Sequence, residues 1–470
     1  MKVEQMYTGC LAEAAYYIES NGEVAIVDPL REPEPYIEKA AAAGAKIKYI
    51  LETHFHADFV SGHLDLAAKT GATIVFGPTA QPGYAALVAK DDEELQLGDI
   101  KIKVLHTPGH TMESCCFLVK DENDKDYGVI TGDTLFIGDV GRPDLAIKGN
   151  VTQEVLAGYL YDSLHNKILT LSDDVIVFPG HGAGSACGKN MSKETTDSLG
   201  NQKRTNYALQ AKTREEFIDK VLTGLVTPPQ YFPKNAVLNK MGYGKIDDVY
   251  EKGMKALSPL EFKTAAEETG ALILDIRAAQ EFCKGFISNS WNIGLDGSFA
   301  SWAGTLITDL DQPILLMGEE SKMKEAITRL SRVGYDNTLG YLKGGIEAWV
   351  NEGNTTETIT SISAAEFAET FSNNPEIKVI DSRKKSEYDS EHVVGVTNFP
   401  LDFVHQNLAE LNKNQKYYIH CAGGYRSMVL ASILKSRGFN NLVDIAGGFK
   451  AIKDTGKFTL TDYVCPTTLL

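Results

Sequence analysis

Residues 53–59, Thr-His-Phe-His-Ala-Asp-Phe, follow directly on the apolar run KYILE (48–52), and how they are read decides the fold of the first half of the chain. The run has the length and make-up of a buried strand. A strand ending in His54, His56 and Asp58 carries three potential metal ligands at alternate loop positions, able to converge on one point. The same kind of ending recurs further along. IKIKVLH (100–106) leads to Pro108-Gly109-His110, YGVI (127–130) to Thr131-Gly132-Asp133, and DVIVF (174–178) to Pro179-Gly180-His181. EVAIVDP (23–29) and TIVFG (73–77) supply further strands. GHLDLAAKTG (62–71), the segment after Val151, and the segment from Gln202 to Asp219 read as helices, and TPPQYFP (227–233) breaks the pattern.

At 470 residues the chain exceeds one core of ~100–200 residues, so several domains are expected. A formal charge of −17 excludes the basic face that a nucleic-acid binder needs. No apolar run approaches the ~20 residues that span a bilayer, and the N-terminal stretch lacks a signal pattern, so no membrane partner and a cytoplasmic location are expected. The seven cysteines (10, 115, 116, 187, 283, 421 and 465) are too sparse for a disulfide framework. In a reducing compartment the question is which of them reacts.

The His and Asp clusters, in this order, resemble the metallo-β-lactamase superfamily over roughly the first 230 residues. That resemblance implies an αββα sandwich. In hydrolytic members the final His of HxHxDH serves a second zinc; here that position is Phe59, whose ring has no lone pair to donate. A single metal on His54, His110 and Asp133 would be a two-His, one-carboxylate triad, which leaves open positions on Fe(II) for O2 and a substrate sulfur. TGCLAEAAYYIES (8–20), THFHADFVSGH (53–63) and GDTLFIGDVGRPDL (132–145) are similar to the persulfide dioxygenases, the ETHE family. This likeness implies one Fe(II) per chain. The reaction it implies is oxidation of the terminal sulfur of a low-molecular-weight thiol persulfide, of glutathione or coenzyme A type, to sulfite with O2. His56, Asp58 and His181 would then orient the ligands and bound water. Arg142 would grip a carboxylate or phosphate of the carrier thiol, the alternative being an ion pair with Asp139 or Asp144. A binuclear zinc thioesterase of the glyoxalase II type is the other reading of the same clusters.

The second half repeats itself. LILDIR (272–277) parallels KVIDSR (378–383), and LKGGIEAW (342–349) parallels IAGGFKAI (445–452), at offsets of 106 and 103 residues. Each copy alternates strand and helix, which implies a parallel sheet covered on both faces. In the last copy the apolar strand YYIH delivers Cys421, then Gly423 and Gly424, with a helix starting near Arg426 and Ser427. Backbone N–H groups of such a loop form an anion-binding nest, and Arg426 would add charge to activate Cys421. Cys421-Ala-Gly-Gly-Tyr-Arg-Ser427 resembles the CxxGxRS loop of rhodanese sulfurtransferases, in which Cys421 carries the persulfide and Gly423, Gly424 and Ser427 hold the substrate. In the first copy Gly318 stands in the nucleophile's place, and Glu319 and Glu320 would repel an anion, so it is a degenerate rhodanese.

The expected architecture is therefore α/β and multidomain. A metallo-β-lactamase αββα sandwich (1–250) precedes two rhodanese-like α/β domains with central parallel sheets, one degenerate (256–352) and one sulfur-transferring (359–470). Sulfite from the first site would accept sulfane sulfur from Cys421, giving thiosulfate, and the family likeness implies a homo-oligomer.

Overall fold

A computed structural model of the chain describes residues 1–146 and 151–465. Its contacts divide it into two units, Met1–Asp247 with Leu330–Gly334, and Asp248–Arg329 with Tyr335–Leu470.

The first unit contains two six-stranded mixed sheets. One runs in chain order from Lys2–Thr8 through Glu13–Ser20, Glu23–Val27, Lys46–Glu52 and Thr73–Phe76 to Leu87–Val88. The other runs from Glu94–Leu97 through Ile100–His106, Cys115–Lys120, Asp126–Gly132 and Ile176–Pro179 to Asp197–Ser198. Period-2 alternation turns Tyr16, Ile18 and Val27 of one sheet toward Ile102, Phe117 and Ile130 of the other, and these share one buried core. The opposite faces bury the helices Glu34–Ala42 and His63–Thr70 on one side and Gln153–Ser163 and Arg214–Leu222 on the other. This is the expected αββα order.

Two local expectations change. The stretch from Gln202 to Asp219 is not one helix; Leu199–Thr205 stops at Asn206, and a new helix begins after the N-cap Thr213. The cause is Asn206, whose buried amide donates to the Asp139 carbonyl at 2.9 Å and so leaves the helical path. Pro233 does not break structure but sits in the first turn of the helix Phe232–Met241, where its missing N–H costs nothing.

In the second unit each repeat forms a five-stranded, all-parallel sheet of the same strand order. Their scaffolds match residue for residue. Arg277 pairs with Asp275 and donates to the Gly285 carbonyl; Arg383 pairs with Asp381 and donates to the Glu391 carbonyl. Asn292 and Asn398 each donate to two carbonyls at equivalent positions. Where the second repeat has Cys421 at the end of its strand Tyr417–His420, the first has Gly318 after Ile314–Met317.

Candidate metal centre and cysteine site

The strand Lys46–Glu52 lies beside Glu23–Val27, whose end places Asp28 against the turn that follows Glu52. Asp28 adopts a left-handed φ of 47°, uncommon for a residue with a side chain. Its carboxylate accepts from the Thr53 N–H and hydroxyl, both at 2.8 Å. With that hydroxyl proton used, Thr53 Oγ1 accepts from His54 Nδ1 at 3.0 Å, which leaves Nε2 its lone pair. His110 Nδ1 is likewise held, by the Arg142 carbonyl at 2.8 Å. Glycine is needed at 141, since a Cβ there would lie 1.8 Å from the Asp133 carbonyl oxygen.

The ligand atoms of His54, His110 and Asp133 all come within 4.8 Å of one another, and all three residues are buried. Both Asp133 carboxylate oxygens lack a hydrogen-bond partner among the described residues. A buried carboxylate without a hydrogen bond is costly, and a cation between it and two imidazoles would relieve that cost. Burial, with His56, His110 and His181 nearby, holds His54 well below its ordinary pKa, so it stays neutral and able to ligate. The residues present therefore fit a metal ion.

His56 is turned to another group. Its Nε2 lies 3.0 Å from Asp28 and 3.7 Å from Glu52, and the Phe59 ring covers it at 4.3 Å between centroids. Burial opposes a charge on this ring, but Asp28, Glu52 and Asp58 prevail and raise its pKa to about 10. Asp58 and His181 meet at 3.4 Å, and His181 lies as near to Asp133. The Ala12 carbonyl holds His181 Nδ1, so Nε2 faces the centre.

Cys187 was not singled out from the sequence. It completes a third buried group with Asp58 and His181, and only the short span from His181 to Cys187 (HGAGSAC) could have signalled it. Burial, then Asp58 and Asp133, holds its thiol well above the ordinary value.

Arg142 does not offer its guanidinium to a ligand. It is buried and doubly bonded to Asp144 at 2.7 Å, with further donations to the carbonyls of Ala186 and Val226. The alternative ion pair is what the fold builds, and Arg142 serves the centre through its carbonyl.

In the last repeat the strand Tyr417–His420 ends at Cys421, whose Sγ accepts from the Gly424 N–H at 3.1 Å. Gly424 has φ 99°, which lets the loop turn into the helix Tyr425–Ser436. Arg426 is engaged by Glu387 through both terminal nitrogens, at 2.6 and 2.8 Å. Ser427 is not a substrate contact: it is fully buried and donates to Asp444 at 2.8 Å, pinning the helix start. In the first repeat the nucleophile's place is taken by Gly318, and Glu320 of the following loop accepts from the Gly344 N–H at 2.9 Å.

Residues 8–181 match the metallo-beta-lactamase superfamily, and residues 258–352 and 363–455 match the rhodanese-like domain. A metallo-beta-lactamase structure from Staphylococcus aureus is 32% identical with a TM-score of 0.63, over 73% of this chain and 98% of that one. A probable metallo-hydrolase of Bacillus subtilis is 33% identical over 39% of this chain and 90% of its own length. A probable hydroxyacylglutathione hydrolase of Schizosaccharomyces pombe is 35% identical over 33% of this chain; the match spans only 58% of that relative. The chain belongs to the metallo-β-lactamase superfamily and carries two rhodanese-like domains behind that fold.

Proposed function

We propose that the chain is a persulfide dioxygenase joined to a sulfurtransferase, with one Fe(II) per chain on His54, His110 and Asp133. The observation that carries this reading is the position of His56, engaged with Asp28 and Glu52 under Phe59 and so outside the triad. Two histidines and one carboxylate suit iron with open positions, where O2 and a persulfide sulfur can both bind. The chain's own contribution is orientation. Thr53 and the Arg142 carbonyl fix the two imidazoles, and the buried His181 lies 3.4 Å from both Asp133 and Asp58. Sulfite leaving this site would accept sulfane sulfur from Cys421, giving thiosulfate. The boundaries proposed for the three domains are 1–250, 256–352 and 359–470.

A binuclear zinc thioesterase is the second reading. It draws support from the hydroxyacylglutathione hydrolase relative and from the Asp58, His181 and Cys187 group, which could hold another ion.

Metal analysis together with oxygen uptake separates the two. About one iron per chain and O2 consumption with glutathione or coenzyme A persulfide, yielding sulfite and thiosulfate, are expected. Two zinc ions per chain with hydrolysis of a glutathione thioester would refute the dioxygenase.

A further inference from the structure

A cavity of about 740 Å3 opens over Cys421, and half of the residues lining it belong to the repeat that has lost its own nucleophile. Gln280, Asp296, Ser298 and Trp302 line it from the first repeat, facing Lys384 and the 421–426 loop of the second. The join is close. The Tyr425 hydroxyl donates to the Gly294 carbonyl at 2.8 Å, and a Cβ on Gly297 would lie 2.3 Å from the Tyr425 ring. Gln280 reaches Asp444, the carboxylate that holds Ser427, at 3.4 Å.

Such a volume lies within the ~300–1,000 Å3 that houses drug-sized ligands and far exceeds what an inorganic sulfur oxyanion fills. Of the charged side chains on the wall, Arg426 is committed to Glu387, leaving the exposed Asp296 and Lys384 to meet a ligand. They are opposite in sign. A polyanionic carrier of the coenzyme A type would find one lysine and a repelling carboxylate.

We infer that the first repeat is the selecting wall of the Cys421 site, and that it selects an organic persulfide bearing both an ammonium and a carboxylate group. Asp296 receives the ammonium, Lys384 the carboxylate, and Trp302 packs on the chain between them. This rests on the sulfurtransferase reading of Cys421. In the transfer, the Cys421 thiolate attacks the terminal sulfur of R–S–SH. The Sγ–S bond forms as the donor S–S bond breaks, and RS⁻ leaves with the electron pair, taking the proton to depart as RSH. No external oxidant is needed.

The test loads the full chain, without acceptor, and follows the Cys421 persulfide by mass spectrometry over time. The donors are cysteine persulfide, 3-mercaptopropionate persulfide (which lacks only the ammonium) and thiosulfate. At subsaturating concentration cysteine persulfide is expected to load about tenfold faster than its amine-free analogue. In Asp296→Asn, an exposed isosteric change, that ratio should fall to about one, and in Asp296→Lys it should invert. Equal loading of the two organic donors by the wild type, or a ratio untouched by Asp296→Asn, overturns the inference and leaves sulfur transfer standing. No persulfide on Cys421 from any donor, thiosulfate included, overturns both.

Discussion

At the residue scale, Cys421 and its neighbour Arg426 have separate jobs. Sγ is held by a loop N–H, whereas the guanidinium is spent on Glu387. Cys421→Ser should lower thiosulfate formation by ~1,000-fold or more, as loss of a nucleophile does. Oxygen uptake should persist, because the triad lies in the other unit. An unchanged thiosulfate yield would make the second repeat a docking module. The Glu387–Arg426 pair also has a pH signature. Burial works against the Glu387 carboxylate, but Arg426 prevails and holds its pKa below the usual value. A depressed carboxylate contributes stability above its unfolded pKa, ~4.3, and loses it as pH falls through the folded value. Glu387→Gln should thus cost up to ~1 kcal/mol near pH 7, and thermal unfolding of the two proteins should converge as pH falls through the depressed folded value of Glu387.

At the scale of elements, the metal centre depends on strand ends brought together by tight turns. Gly141 has no room for a side chain between the Asp133 carbonyl and His110 Nδ1, which would be 1.8 and 3.3 Å from a Cβ. Gly141→Ala should destabilise by ~1–3 kcal/mol, the usual cost of overpacking, and reduce bound metal per chain. Denaturant unfolding together with metal analysis checks both; full metal content would show that the turn can give way. Gly424 turns the other loop with φ 99°, so Gly424→Ala should cost ~1–2 kcal/mol and slow persulfide loading of Cys421.

At the scale of the whole molecule, the two chemistries should separate under metal removal. Chelation is expected to abolish oxygen uptake while leaving Cys421 open to persulfidation from thiosulfate. It should also lower the unfolding temperature of the first unit, since a metal bound only by the folded state stabilises by mass action. Calorimetry with and without chelator shows this, and an unshifted transition would argue that the buried carboxylates need no ion.

The strand-end histidines, Asp133, the αββα order and the repeated rhodanese scaffold were all legible in the linear sequence. So was the loss of the first nucleophile at Gly318. The ligand clusters and the repeat are local, since apolar period, turn residues and ligand types lie within a few positions of one another, whereas the αββα order and the lost nucleophile came through the family resemblances those motifs carry. Only the tertiary structure decided which way the loop side chains point. His56, two residues from His54, faces Asp28 rather than the triad, because the neighbouring strand ends there in a carboxylate. Arg142 and Ser427 look from their motifs like ligand contacts, yet the half-buried Asp144, 2 residues away, and the buried Asp444, 17 residues away, take their donors. Cys187 joins Asp58 and His181 by folding back across the chain, and the Cys421 cavity needs Asp296 and Trp302 from the other repeat. A local pattern reports burial and turn, whereas convergence depends on which distant segments the sheets bring side by side.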